Sequence, residues 1–480
     1  MKILLASSEL FPFSKTGGLA DMIGALAKAL GRAGHQVGVV TPLYAGIRER
    51  FPATSEFDWH MDLPLGTDRV SAQVWTLEPW PNVTVYFIDQ PGFYQRPQLY
   101  GEGGADYPDN AHRFIFFSKA VVHMARYLPW QPSVVHVHDW QTGLVPIFTL
   151  HQKLAEGWVN APRTCLTIHN MAYQGLFPRP LYDLTNLPLD YFTPNGVEYY
   201  NYLSCLKAGL VYADSITTVS PRYAREITTP EFGCGLDSIL RQRLGSLTGI
   251  LNGVDYEEWN TADNPNLKHP FSARNLTGKT ADKIELQKEL GLAADPAVPL
   301  FSTVTRLVDQ KGIDIMLGAL EEMLWSDMQF ALLGSGSPAY EKAFARLAAR
   351  FPQKASITIG YNHGLSHRIE AGSDFFLMPS RYEPCGLNQM YSLRYGTIPV
   401  VRITGGLDDS VVDLVEDAKR ANGIKFKEYS VRALAKAIRK ALVLTKEPAL
   451  LQHYRRNAMK ADFSWERTAE QYVEVYRGQR

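Results

Sequence analysis

Short apolar runs separated by longer amphipathic stretches recur along the chain, and their alternation predicts strands joined by helices. Lys2-Ile3-Leu4-Leu5-Ala6 reads as a buried strand, and Ala20 to Gly34 reads as a helix with Ile23, Leu26, Ala27 and Leu30 on one face. Further runs follow at Gln36 to Thr41, Val83 to Ile88, Val134 to His138, Thr164 to Ile168 and Ser215 to Val219. A second series comprises Leu300 to Thr305, Phe330 to Leu333, Ser356 to Ile359, Phe375 to Met378, Ile398 to Val401 and Gly423 to Phe426. Helical patterns at Val431 to Leu444 and Trp465 to Tyr476 close the chain. Strands separated by helices predict parallel sheets covered on both faces, so the fold class is α/β with two Rossmann-like doubly wound domains.

Between the two series, Gly249-Ile250-Leu251-Asn252-Gly253-Val254-Asp255 leads into the polar stretch Asn260 to Asn275. This predicts an N-terminal domain over 1–245, a hinge over 246–275, a C-terminal domain over 276–455 and a last helix within 456–480 that packs back on the N-terminal domain. Ligands of such sheets bind beyond the carboxyl ends of the strands, so two sheets facing each other are expected to share a central cleft.

Length and charge narrow the function. A chain of 480 residues is too long for one core, and 49 Lys+Arg against 49 Asp+Glu leave no net charge to draw in nucleic acid or anionic lipid. The four cysteines, Cys165, Cys205, Cys234 and Cys385, are too scattered for a disulfide framework or a Cys-x-x-Cys metal site. Reduced thiols, the absence of a signal-like apolar segment at the N-terminus and the absence of a membrane-length run lead us to expect a cytoplasmic protein with no membrane partner.

Candidate chemistry gathers at the ends of these strands. The tetrapeptide Thr-Gly-Gly-Leu occurs at Thr16-Gly17-Gly18-Leu19 and again at Thr404-Gly405-Gly406-Leu407, each time after an apolar strand and before an acidic residue and a helical pattern. Paired glycines at such a junction can take φ > 0 and approach a ligand closely, with helix N–H groups facing an anion such as phosphate. The repeat therefore suggests one half-site per domain, although Gly-Gly is also ordinary turn punctuation. Lys15 precedes the first copy, and Arg306 and Lys311 flank the loop after the strand Phe301 to Thr305; a guanidinium and an ammonium together suit a diphosphate.

His136 and His138 lie two apart on one predicted strand and lack a third ligand at supporting spacing, so no metal is expected. Glu383 and Cys385 stand where a strand passes into the predicted helix Asn388 to Tyr395; Glu383 suits sugar hydroxyls or, alternatively, a helix cap. Gly334-Ser335-Gly336 lacks the third glycine of a dinucleotide fingerprint, which ranks an NAD-dependent dehydrogenase last.

Taken in order, Lys15-Thr16-Gly17-Gly18-Leu19-Ala20-Asp21, Tyr107-Pro108-Asp109-Asn110 with Arg113-Phe114, His138-Asp139-Trp140, Thr167-Ile168-His169-Asn170, Asn252-Gly253-Val254-Asp255, Arg306 with Gln310-Lys311-Gly312, Ser380 to Leu387 and Thr404 to Leu407 closely resemble the bacterial glycogen synthase and plant starch synthase family. The resemblance implies a retaining, metal-independent glucosyltransferase of GT-B type without a cofactor, whose partners are ADP-glucose and an α-1,4-glucan such as glycogen. It implies that the N-terminal domain serves the acceptor and the C-terminal domain the sugar nucleotide.

It further implies that Lys15 binds the sugar nucleotide, that Arg306 and Lys311 hold the diphosphate, and that His169 and Asp139 lie against the transferred glucose. Glu383, Cys385, Gly386 and Leu387 are implied to contact glucose and phosphates, and Tyr361 to lie beside the adenine. Gly17, Gly18, Asp21, Trp140, Asn170, Asn252, Gln310, Thr404, Gly405 and Gly406 carry over as substrate-binding positions. The wider pattern has two glutamates eight residues apart, but Tyr391 stands eight after Glu383 here, which weakens a double-carboxylate mechanism. A catalytically silent nucleotide-sugar sensor or glucan-binding scaffold, and a transferase of the same fold using UDP-glucose or making a small disaccharide, remain as alternatives.

Overall fold

A computed structural model describes residues 1–479. The chain folds as two compact units. The first comprises Met1–Val219, Ala224–Gly253 and the C-terminal segment from Trp465; the second comprises Ser220–Tyr223 and Val254–Ser464.

The first unit is built on a nine-stranded sheet. Its strands are β1 (Lys2–Ala6), β2 (Gln36–Pro42), β3 (Ser55–Leu65), β4 (Asp68–Trp80), β5 (Val83–Asp89), β6 (Val134–His138), β7 (Arg163–Ile168), β8 (Ser215–Thr218) and β9 (Leu247–Gly249), in the order β9-β8-β7-β6-β1-β2-β5-β4-β3. Ile3 to Ala6 are fully buried, as a parallel strand covered on both faces requires. The helix Gly18–Arg32 buries Ile23, Leu26, Ala27 and Leu30 as their spacing predicts, and packs against the helix Trp465–Tyr476. It begins two residues before the expected Ala20, at the second glycine of the turn, and Gly34 lies beyond its end at φ +81°.

The sheet is not wholly parallel. β3 and β4 form an antiparallel hairpin that joins antiparallel to β5, and a separate three-stranded antiparallel sheet is made by Leu176–Pro178, Glu198–Tyr199 and Tyr202–Ser204. β3 alternates Met61, Leu63 and Leu65 inward with exposed Asp62 and Pro64, the signature of a one-sided strand rather than of a continuous apolar run.

The second unit carries six parallel strands, β10 (Leu300–Val304), β11 (Gln329–Gly334), β12 (Ala355–Ile359), β13 (Phe375–Met378), β14 (Ile398–Arg402) and β15 (Ile424–Phe426), in the order β12-β11-β10-β13-β14-β15. A core of Phe301, Phe330, Leu332, Phe375, Leu377 and Val400 with the helices Ile313–Met323 and Val431–Thr445 covers one face. Ser430 caps the latter helix by accepting from the Ala433 amide. The helix Pro448–Lys460, absent from the sequence pattern read above, follows it. Val411–Leu414 lies outside any helix, because the helix after the second glycine pair is only Gly405–Ser410.

Both sheets share one topological property that positions chemistry. Chain order reverses between β1 and β6 in the first and between β10 and β13 in the second, and crevices at such switch points are where ligands of open α/β sheets bind.

Candidate active site

The candidate residues sit on the loops that leave these switch-point strands. After β1 the chain turns through Ser7, Ser8 and Glu9, all buried. Glu9 Oε2 accepts from the amides of Thr16 (2.6 Å) and Gly17 (3.2 Å), while Oε1 accepts from Thr16 Oγ1 (2.6 Å) and Tyr100 Oη (2.7 Å). The amides expected to face a phosphate at Thr16 and Gly17 are thus bound to a carboxylate of the protein itself. Nor does Gly17 need its conformational freedom: its φ of −156° is ordinary extended backbone, and a Cβ there would meet nothing within 4 Å. Gly18 is the first helical residue, and Asp21 in the first turn accepts from Lys15 Nζ at 2.8 Å.

After β6, Asp139 takes φ +54°, a left-handed conformation rare for residues other than glycine and held here by bonds at both ends. Its amide donates to the Thr167 carbonyl (3.0 Å) and its Oδ1 accepts from the His169 amide (2.7 Å). Burial pushes the Asp139 carboxyl up to about 7, against the pull of the His169 and Asn170 amides. His169 Nε2 meets His138 Nδ1 at 3.1 Å, and burial holds the His169 imidazole down to about 3, so it is neutral at pH 7.

His136 bonds Tyr476 Oη (2.8 Å) and Thr167 Oγ1 (2.6 Å), so both its ring nitrogens have protein partners. Trp140 packs edge-on to Phe114 and Phe177, and its ring leaves no space for a Cβ at Gly175. Asn170 Oδ1 accepts from the Ala172 amide, whereas the buried Asn252 Oδ1 has no partner among the described residues.

In the second unit, Arg306 follows β10 and is exposed, and its guanidinium makes no hydrogen bond or ion pair among the described residues. The loop then passes through Gln310, whose carbonyl accepts from the Arg381 amide (2.8 Å) and whose Nε2 donates to the Tyr382 carbonyl (3.3 Å). These bonds join the loop after β10 to the loop after β13. Lys311 Nζ consequently lies 2.6 Å from Glu383 Oε2, which also accepts from Ser380 Oγ at 3.0 Å. Both bonds fall on Oε2, leaving Oε1 without one among the described residues.

Glu383 does not cap a helix. The helix Asn388–Arg394 begins five residues later, behind Gly386 at φ +70° and Leu387 at the cap. Gln389 Nε2 donates to the Cys385 and Gly386 carbonyls, both at 3.0 Å, and Ser220 Oγ donates to the Pro384 carbonyl at 2.6 Å. Cys385 itself is buried.

The second glycine pair closes on this loop. Thr404 is buried and Gly405 takes φ +42°, where a Cβ would collide with the Glu383 carbonyl oxygen. A Cβ at Gly406 would collide with the Cys385 carbonyl, and the Gly406 amide donates to the Glu383 and Pro384 carbonyls, both at 3.1 Å. This turn fixes the backbone that carries Glu383. Tyr361, on the loop after β12, is 77% exposed. Tyr391, where the wider pattern has a second glutamate, is stacked on Trp259 with ring centroids 3.7 Å apart.

Two features escaped sequence reading. Glu9 gave only the signal of an acidic residue after a strand, and the cluster of Glu258 with His363 and His367 spans 105 residues of chain between its acid and its first imidazole.

Comparison with known proteins adds a second line of observation. Residues 2–242 match the family described as starch synthase catalytic domain, and residues 282–460 match glycosyl transferases group 1. The glycogen synthase of Anaeromyxobacter dehalogenans is 46% identical over 479 residues, covering 99% of both chains. That of Syntrophotalea carbinolica is 44% identical over 477 residues, covering 99% of this chain and 98% of the relative. The catalytic domain of starch synthase IV from Arabidopsis thaliana, solved with ADP and acarbose, superposes with a TM-score of 0.89 at 33% identity, covering 100% of this chain and 99% of that one. Sucrose-phosphate synthase from Thermosynechococcus elongatus, at 19% identity and a TM-score of 0.61 over 99% and 98% of the two chains, shares the fold.

Proposed function

The chain belongs to the glycogen and starch synthase family of glycosyltransferases, and on that premise we propose that it transfers glucose from ADP-glucose to the non-reducing end of an α-1,4-glucan, with retention and release of ADP. What supports the reading most directly is the pairing at the switch point of the second sheet: Lys311 is bound to the buried Glu383, and Arg306, on the same loop, has no anionic partner among the described residues. Two cations at the carboxyl ends of parallel strands suit a diphosphate leaving group, whose growing charge they neutralise.

Each group then has a role that its geometry permits. Arg306 and Lys311 take the phosphate oxygens, and Lys15 supplies a third cation by exchanging Asp21 for the nucleotide. Glu383 Oε1 accepts from hydroxyls of the transferred glucose while Oε2 stays on Lys311 and Ser380. His169, neutral through burial, offers a hydrogen bond without adding charge, and Asp139 accepts the His169 amide and so sets that loop.

No carboxylate is an obvious nucleophile. We therefore propose a front-face route: the bond from the anomeric carbon to the diphosphate breaks, the acceptor hydroxyl oxygen bonds on the same face, and its proton passes to the departing phosphate oxygen. Positive charge on the sugar is transient and lies against the anionic diphosphate. No helix of the described residues is long and apolar enough to cross a membrane. As a separate part of the proposal, the enzyme works in the cytoplasm with glycogen as its acceptor, as its family relatives' name implies.

The test is glucose incorporation into glycogen from ADP-glucose and, in parallel, from UDP-glucose, with EDTA present. Transfer from ADP-glucose that survives the chelator is expected. Transfer from UDP-glucose alone would overturn the donor and keep the reaction class, and no transfer from either would overturn the reaction.

A further inference from the structure

Away from the groups assigned to catalysis, one cluster in the second unit has the composition of a metal site. Glu258 lies in the segment that follows Val254, and His363 and His367 lie four apart on the helix His363–Gly372, so both rings project from one helix face. The three ligand-type atoms lie within 4.8 Å of one another. His363 Nε2 is 2.9 Å from Glu258 Oε1, and His367 Nε2 is 3.9 Å from the same oxygen.

His367 supplies the observation that points to a ligand. Its side chain is fully buried, yet Nε2 has no hydrogen-bond partner among the described residues and lies 3.9 Å from Glu258 Oε1. An orphaned polar atom in a buried position calls for an explanation. Its ring is immobilised by stacking on Trp259, with centroids 4.0 Å apart and planes 16° from parallel. On the far side, Nδ1 is 2.8 Å from Tyr395 Oη, which Asn264 Nδ2 holds at 2.8 Å. A metal-bound imidazole characteristically donates its second N–H to such an outer partner, which fixes ring and tautomer together.

We propose that Glu258, His363 and His367 bind one divalent transition ion of borderline softness, for which Zn²⁺ is the natural probe, and that the ion staples the Glu258 segment to the helix His363–Gly372. Two imidazoles and a carboxylate with an open fourth position suit such an ion, whereas Mg²⁺ and Ca²⁺ prefer all-oxygen sets. Bonds of about 2.0–2.1 Å place tetrahedral ligand atoms roughly 3.3 Å apart, so the Glu258–His363 contact opens slightly and the His367–Glu258 separation closes by about half an ångström. The exposed side chains of Glu258 and His363 permit that adjustment. The ion touches none of the groups assigned to glucosyl transfer, and its detection does not depend on turnover.

The full-length protein, stripped with EDTA and dialysed, is titrated calorimetrically with ZnCl₂, and the unfolding midpoint is followed with and without the ion. One ion per chain at micromolar affinity or tighter, with a rise of a few degrees in midpoint, is expected. His363→Ala and Glu258→Gln, both at exposed side chains, should each weaken binding at least tenfold without changing the metal-free midpoint, while Cys234→Ser, at the exposed thiol, leaves the affinity unchanged. Co²⁺ substitution should give visible absorption of a four- or five-coordinate site that His363→Ala abolishes. Binding weaker than about 100 µM, or affinity unaltered in both site variants, would overturn the assignment.

Discussion

Thr16–Leu19 and Thr404–Leu407 are the same four residues in the two units, and they are held in place by opposite means. In the first turn the protein supplies an anion: Glu9 binds the Thr16 and Gly17 amides, and Gly17 has open space around it. In the second it supplies carbonyls, packed so closely on Gly405 and Gly406 that any side chain is excluded. The nearby lysines repeat the contrast, since Lys15 meets Asp21 with side chains 42% and 31% exposed, whereas Lys311 meets Glu383 at 18% and 7%. An identical sequence therefore marks a glycine tolerated in one unit and a glycine required in the other. Only the surroundings decide which.

The largest expected effect tests the buried end of that contrast. Lys311→Ala should lower kcat by about 10²–10³-fold, the loss of a charge-stabilising donor of about 3–4 kcal/mol. It should also destabilise the fold, because Glu383 is left without its cation. Steady-state kinetics and urea unfolding measure the two, and undiminished turnover would remove Lys311 from the chemistry. Gly405→Ala comes next, with an expected loss of about 2–4 kcal/mol from a backbone collision, while the equivalent Gly17→Ala should cost under about 0.5 kcal/mol. Equal urea midpoints for the two variants would erase the distinction between the turns.

Glu9→Gln should cost about 2 kcal/mol, since an amide can no longer accept from both sides of the first turn. A pH-dependent effect concerns Asp139. Folding raises its carboxyl from 3.8 to about 7, so between those values the folded protein holds a proton that the unfolded chain has released, and stability falls as pH rises through that window. Asp139→Asn, which removes the titrating carboxyl, should flatten that slope between pH 4 and 7 in chemical-unfolding midpoints. The smallest effect is Lys15→Ala, expected to change stability by under about 0.5 kcal/mol as an exposed pair does. Any loss of activity in that variant reports on the nucleotide rather than on the fold.

Fully buried parallel strands were the most legible part of the chain, because burial on both faces leaves an unbroken apolar run such as Ile3 to Ala6 or Phe375 to Met378. The β3–β4 hairpin escaped because its outer face is polar, so Asp62 and Pro64 interrupt the apolar residues it buries. The helix Pro448–Lys460 escaped for a related reason: only Tyr454 and Ala458 of its residues are buried, too few to make a stripe. At the candidate site, the residues that touch could be named from their motifs, but what each touches could not. Nothing in the spacing of Glu9 and Gly17, or of Lys311 and Glu383, says that an amide or an ammonium will be waiting. Nor does the distance along the chain from Glu258 to His363 suggest that they meet.

The helix Trp465–Tyr476 belongs to the first unit, where Tyr476 bonds His136 on β6 and the helix packs on Gly18–Arg32. A ribosome delivers it after every strand of the sheet it covers. At about 5–20 residues per second, the nine strands of the first sheet wait on the order of ten seconds or more for the helix that covers part of them. Over that interval the helix Gly18–Arg32 shows the apolar side that Trp465–Tyr476 covers in the finished fold.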